Sequence, residues 1–287
     1  MTPFLLILAA LLGLIIGSFL NVVIYRVPAG IPLTRPSQCP NCDAPVKPWQ
    51  NVPVLSWLAL RGRCANCGAP ISARYPLVEL ATGAAFVGVV WLAIAGGPST
   101  GSGTGRWGIE PGPSTSAGTV AAMLVVVAYL YLASISIALA LIDLDTRRLP
   151  NAIVLPSYVV LAVLFTAACL FGAPWQNLLR AAIAGAVLFA FYWLLRAIRP
   201  GGMGGGDVKL AGVLGAALGW IGWGSVVVGA FAAFLIGGVV GIALMLSRRA
   251  TRKSAIPFGP FMLIGAWIGI AWGESLSRWY LGLLSVG

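Results

Sequence analysis

Long stretches without charge dominate this chain. Residues 1–25, 80–105, 111–142, 149–179, 181–195, 210–247 and 254–273 contain no Asp, Glu, Lys or Arg. A helix that crosses a bilayer needs about 20 apolar residues, within roughly 17 to 25. The pattern predicts spans near 4–24, 76–95, 119–141, 152–171, 178–197, 208–222, 224–246 and 257–276. The stretch 210–247 is too long for one helix and predicts two, turning near Gly219–Gly224. The first segment lacks a basic leader and an obvious small-x-small cleavage site, and reads as a retained helix.

The polar positions orient these spans. Arg26, Arg35, Lys47, Arg61, Arg63 and Arg74 fall in one long loop after the first span, which the positive-inside rule assigns to the cytoplasm. Eight spans then bring Arg147, Arg148, Arg196, Arg199, Lys209 and the tract Arg248–Lys253 to the same side. Only Arg106, Arg180 and Arg278 are left outside, and seven spans would misplace the last basic tract. The net charge of +11 is therefore mostly a topology signal, with no nucleic acid expected as a partner. The stretch 96–118, rich in Gly, Ser, Thr and Pro, reads as an external linker.

Composition agrees: 59% of the 287 residues are hydrophobic and 9% charged. A soluble domain carries about a quarter charged residues. The expected class is an all-α polytopic membrane protein of about eight transmembrane helices, with membrane lipid as its surroundings. No His is present, which excludes Ser-His-Asp and Cys-His mechanisms and His-containing zinc hydrolase sites.

The loop after the first span holds Cys39-Pro40-Asn41-Cys42 and Cys64-Ala65-Asn66-Cys67. Two such pairs suit tetrahedral zinc, and four thiolates would make the metal structural. The loop has many prolines and little apolar mass, so a metal staple explains how it folds. Reduced thiols or redox pairs are the competing reading. The chain divides into a first transmembrane helix (1–25), a zinc-stapled insert (26–75) and a membrane core (76–287). Cys169 lies in an apolar run and reads as a buried small residue.

Seven acids remain: Asp43, Glu79, Glu110, Asp143, Asp145, Asp207 and Glu274. Asp43, Glu110 and Glu274 read as solvated or interfacial, and Asp145 as balanced by Arg147 and Arg148. Glu79 stands one turn into the second span, where a carboxylate needs a partner or a function. Arg74 or Arg63 is its expected partner. Asp143 closes the third span and Asp207 opens the sixth, both at the predicted cytoplasmic edge. Two carboxylates there form a hydrolytic pair that shares one proton and needs neither His nor metal. Charged caps at two helix ends are the bland alternative, and a transporter using intramembrane acids is the competing class. Helix dipoles assign the lower pKa to Asp207, at a helix N-terminus, and the shared proton to Asp143, at a C-terminal end. The run Gly201-Gly202-Met203-Gly204-Gly205-Gly206 before Asp207 admits positive φ and the approach of an extended peptide. Lys209 follows directly in that site loop.

Together these blocks resemble one family. Gly204-x-Gly206-Asp207 matches the GxGD signature of membrane aspartyl proteases. Gly17–Arg26 with Pro28, the paired CxxC insert, Tyr75–Leu80, and Ile142-Asp143 followed by Leu149-Pro150-Asn151 resemble the bacterial type IV prepilin peptidases, in order over nearly the whole chain. The resemblance implies a multi-pass enzyme of the bacterial inner membrane. It would cleave leaders from type IV prepilins and type II secretion pseudopilins at the cytoplasmic face, just before the substrate's hydrophobic helix. Asp143 and Asp207 match the catalytic aspartates. It also implies N-methylation of the new N-terminus from S-adenosylmethionine, with the four-cysteine insert involved and Glu79 at a position linked to methyl transfer or substrate contact.

Overall fold

The apolar runs become helices in the computed structural model, which describes residues 2–95, 116–199, 203–247 and 257–285. The long elements are α1 (Thr2–Arg26), α3 (Arg74–Ala95), α4 (Ser116–Thr146), α5 (Asn151–Leu170), α6 (Trp175–Ile198), α7 (Gly205–Ile221), α8 (Trp223–Leu246) and α9 (Gly259–Ser285). Between α1 and α3 lie a 3₁₀ turn (Pro48–Asn51) and the short α2 (Leu55–Ala59). Six helices, namely α1, α3, α4, α5, α6 and α8, are long and apolar enough to cross a membrane. The other two predicted spans are α7, of 17 residues, and α9, which carries Glu274 and Arg278. The expected linker lies outside the described residues up to 115, and its last residues, 116–118, begin α4. The basic tract 248–253 also lies outside them.

The chain forms two compact units, Met1–Ile94 with Leu130–Ile142, and Ala95–Tyr129 with Asp143–Gly287. In the first, α1 and α3 touch backbone to backbone. A Cβ on Gly13 would stand 2.7 Å from Gly83 Cα, and one on Gly17 would stand 2.6 Å from Glu79 Cα. Lipid tails are as apolar as leucine, so helices in a bilayer associate through such small-residue contacts.

The same rule builds the second unit. Gly265, Gly269 and Gly273, one turn apart on α9, meet Ala233, Gly229 and Ser225 on α8. On α7, Gly215 and Gly219 lie against Ala184 of α6. Helix α7 is buried on most of its faces, from Asp207 to Trp220. Phe165 of α5 stacks on Trp220 with ring centroids 4.3 Å apart.

The α7–α8 turn falls at Gly222, inside the predicted interval. Two charges hold it. Arg180 donates to the carbonyls of Gly219, Trp220 and Ile221 at the C-terminus of α7. Glu274 accepts from the Ser225 N–H at the N-terminus of α8, 3.1 Å away. Each sign sits at the helix end whose dipole favours it. Glu274 is thus a helix cap, a role the reading of it as a solvated or interfacial charge did not specify.

Candidate active site and metal centre

Asp143 occupies the last turn of α4. The Arg147 N–H returns to the Asp143 carbonyl at 2.8 Å, and Arg147 enters the left-handed region (φ 54°), which ends the helix. The Asp143 carboxylate is only 4% exposed. Its Oδ2 accepts from the N–H of Gly259, the first residue of α9, at 3.1 Å.

Asp207 is the third residue of α7 and 9% exposed, just ahead of the apolar run beginning at Val208. Its Oδ2 accepts from the Gly204 N–H at 3.1 Å, so the side chain caps its own helix. Burial pushes the Asp207 carboxyl up to about 6, and the negative charge of Asp143 adds to the rise while the Gly204 N–H opposes it. Leu149 lies against the start of both helices. A Cβ on Gly206 would stand 2.7 Å from Leu149 Cβ, and one on Gly259 3.6 Å from Leu149 Cδ1.

This geometry removes the basis of the expected proton assignment. Asp143 follows a helix C-terminus in sequence, but α9 brings a helix N-terminus to it through space. Both carboxylates therefore see an N-terminal dipole. Asp207, expected to hold the lower pKa, is the one raised by its neighbour's charge.

The glycines before Asp207 also have a different reason from the expected one. Among the described residues, none of Gly204, Gly205 and Gly206 has positive φ. Gly206 makes room for Leu149, and a Cβ on Gly205 would collide with the Arg196 guanidinium. Close packing by the chain itself requires Gly206, whereas the Arg196 guanidinium at Gly205 is the end of a flexible side chain that can move aside; Gly201 and Gly202 lie outside the described residues. Lys209 turns its ammonium to Asn151 Oδ1 at 2.9 Å, and its carbonyl accepts from the Tyr158 hydroxyl. It ties α7 to α5, whereas Asp145 is exposed.

Glu79 belongs to the first unit and is 8% exposed. Its Oε2 accepts from the Val54 N–H at 2.7 Å, a backbone partner in place of the expected arginine. Val54 stands at φ 61°, a costly conformation for a β-branched residue. The carboxylate therefore latches the insert, at a strained residue, to the first turns of α3.

Cys39, Cys42, Cys64 and Cys67 bring their sulfurs within 4.8 Å of one another. Tetrahedral zinc with Zn–S bonds of about 2.3 Å needs sulfurs roughly 3.8 Å apart, and Cys39 and Cys67 stand at 3.9 Å. The donor set and spacing fit a structural metal. The Asn66 amide donates to Cys42 Sγ and heads the causes that hold that thiol below its usual range. The backbone N–H groups of Cys67 and Ala69 lead in doing the same for Cys64 and Cys67.

The two knuckles are copies of each other. Each reads Cys-x-Asn-Cys-x-Ala-Pro, has positive φ after its second cysteine (Asp43, Gly68), and closes with an antiparallel bridge, Gln38 to Pro45 and Arg63 to Pro70. The shared Asn-Cys-x-Ala-Pro was the available signal. Arg26 was also missed. Its guanidinium is 9% exposed and donates to the carbonyls of Pro32, Leu33, Arg35 and Pro36, which folds the approach to Cys39 around it.

Comparison with known proteins meets this geometry. Residues 11–93 match the bacterial peptidase A24 N-terminal domain, and residues 130–242 match the type IV leader peptidase family. A prepilin leader peptidase/N-methyltransferase of Aeromonas hydrophila is 37% identical, with 96% of this chain and 93% of the relative covered. The proteins of that name from Stutzerimonas stutzeri and Neisseria gonorrhoeae are each 34% identical, covering 95% and 98% of this chain and 92% and 96% of their own. No solved structure matches. With the matched regions spanning both compact units, the chain belongs to the type IV leader peptidase family.

Proposed function

We propose that this chain cleaves the leader from type IV prepilins and type II secretion pseudopilins with Asp143 and Asp207, at the cytoplasmic face of the inner membrane, and then N-methylates the new terminus. The observation that carries the reading is the pairing of two nearly buried carboxylates, each held by a backbone N–H at a helix N-terminus, with the charge of one felt by the other. Peptide hydrolysis by a proton-sharing pair uses such groups. The ionised carboxylate takes a proton from water as its oxygen attacks the scissile carbonyl carbon. The protonated one donates to the carbonyl oxygen. Collapse of the tetrahedral adduct breaks the C–N bond as the amine leaves with a proton.

A transporter would keep its acids near mid-membrane. Here Asp143 stands in the last turn of α4 and Asp207 in the first turn of α7, which favours chemistry at the membrane edge. The exposed apolar side chains of the long helices face lipid under this reading. Eight spans keep both aspartates on the side of the basic loops. The insert (26–75) is a zinc-stapled module between the first helix (1–25) and the membrane core (76–287), latched to the first turns of that core by Glu79. S-adenosylmethionine supplies the methyl group when bound. Glu79 serves that half of the activity by holding Val54, since its Oε2 is already engaged there.

The test is cleavage of a synthetic prepilin-like peptide by the purified full chain, compared with Asp143→Asn and Asp207→Asn. Each variant should lose cleavage by at least about 10³-fold, on the scale seen when a catalytic group is removed, with its helical circular dichroism unchanged. Retained cleavage in either excludes the pair.

A further inference from the structure

Helix α5 and the linker before it grip the first turns of α7, and Tyr158 of α5 makes the hold that lies furthest along them. Its hydroxyl donates to the carbonyl of Lys209, and the N–H of Val213 donates to the same oxygen. Residues 209 and 213 are i and i+4, the two ends of one rung in a helical hydrogen-bond ladder. The hydroxyl therefore stands at a backbone rung of the neighbouring helix, and α7 runs through that point as helix. Gly212 admits it, since a Cβ there would collide with the Tyr158 hydroxyl. Nearer the helix start, Asn151 Oδ1 accepts from the Lys209 ammonium at 2.9 Å, and Leu149 lies against Gly206.

Asp207 depends on these holds. Its carboxylate accepts from the Gly204 N–H, at the N-terminus of its own helix. That bond travels with α7 and cannot fix where the carboxylate stands against Asp143. Asp143 is placed separately, by the last turn of α4 and by the Gly259 N–H of α9. The spacing of the two carboxylates then follows from how α7 is held along and about its axis. A hydrogen bond has a preferred distance and angle, so it sets that position in a way that apolar contact does not. At 1.5 Å of rise per residue, the Lys209 level lies about 3 Å along the axis from Asp207. Tyrosine carries its hydroxyl on a rigid ring with only two side-chain torsions, so the hydroxyl follows α5 closely.

We propose that Tyr158 is a positioning residue for peptide cleavage: by seating its hydroxyl on the Lys209–Val213 rung it fixes α7, and with it Asp207, where Asp207 can work with Asp143. The inference rests on the reading above, that this pair cuts the peptide. Tyr158 acts through α7 rather than on the substrate.

The test uses the full chain in detergent and two variants. Tyr158→Phe removes the hydroxyl and keeps the ring, and Gly212→Ala displaces the hydroxyl from the α7 side. If one fails to fold, the other still carries the test. On a prepilin-like peptide, kcat per folded molecule should fall by about 10- to 100-fold in either, the scale of a displacement of about 1 Å at a reacting group, while KM stays near the wild-type value. Both variants remove one interaction, so the double variant should be no slower than the slower single one. A second measurement needs no turnover. Labelling Asp with ¹³C at the carboxyl follows the ionisation midpoint of Asp207, which feels the charge of Asp143 and so depends on their spacing. That midpoint should move in both variants. Wild-type kcat in Tyr158→Phe, a loss confined to KM, or an unmoved midpoint overturns the proposal, as do kcat losses that multiply in the double variant. A fall in Tm with kcat and midpoint unchanged overturns it too, because packing alone would then explain the contact. If Asp207→Asn still cleaves, the catalytic reading fails, while the midpoint still reports whether Tyr158 places Asp207.

Discussion

The N–H of Gly259 donates to Asp143 Oδ2 at 3.1 Å, joining residues 116 positions apart. Asp143 is reached by the start of α9, an element that nothing near it in the chain announces. A Cβ on Gly259 would stand 2.7 Å from Asp143 Oδ2 and 3.3 Å from its Cγ, so the two residues meet with no space for a side chain. The carboxylate is oriented by backbone, which holds a group more firmly than a rotatable side chain does.

Gly259→Ala should therefore displace Asp143 without removing any ionisable group. A displacement of about 1 Å at a reacting group costs on the order of 10²-fold in rate, so kcat should fall by about 10- to 100-fold with KM little changed. Kinetics on a prepilin-like peptide, beside a thermal melt, checks this. A variant with wild-type kcat would show that the Gly259 contact has no bearing on cleavage.

Asp143→Asn should lower the midpoint at which Asp207 ionises. Burial and the charge of Asp143 both raise that midpoint, to about 6. Removing the charge leaves burial, the larger cause, so the midpoint moves below 6 but stays above the ordinary carboxylate range. Asp207 is neutral below its midpoint and ionised above it, so between the two midpoints the variant holds it ionised where wild type holds it protonated. The chain has four Asp, and ¹³C-carboxyl labelling of Asp follows each with pH. A midpoint that stays put or rises in the variant contradicts the coupling.

What the sequence made legible follows from what is scarce in it. With seven acids in an apolar chain, Asp143 and Asp207 stand out, and the interval around Gly222 follows from span length. Four cysteines in two tight pairs point to one metal. Partners supplied by backbone were hidden, because an amide N–H leaves no mark in a sequence. That covers Gly259 on Asp143, Val54 on Glu79 and Ser225 on Glu274. It also explains why the helix-dipole argument about the shared proton loses its footing: it used helix ends adjacent in sequence, whereas dipoles act through space.

Zinc removal should affect the insert first. Two knuckles bring their four sulfurs within 4.8 Å of one another, so one metal would staple both. Cys64→Ser, or treatment with a strong chelator, should abolish bound zinc measured by atomic absorption. It should also open residues 26–75 to limited proteolysis while helical circular dichroism stays near the wild-type level. A zinc-free insert that still resists protease would show that Arg26 and the Glu79–Val54 latch suffice to fold it.

The clamp on the α7–α8 turn should matter for the site even though it lies at the far end of α7. Arg180 satisfies three carbonyls that the helix end leaves without intrahelical partners, those of Gly219, Trp220 and Ile221. These bonds are partly buried, so each one lost leaves a polar group poorly solvated, at about 1–3 kcal/mol. Arg180→Met keeps much of the side-chain length and removes the donors. It should lower Tm and speed amide exchange at 222–226, the first N–H groups after the turn. Arg180→Lys should recover part of the loss, since an ammonium carries donors but lacks the planar fork that spans several carbonyls. If Met and Lys behave alike, charge and hydrogen bonding at this turn are not what holds α7 in place.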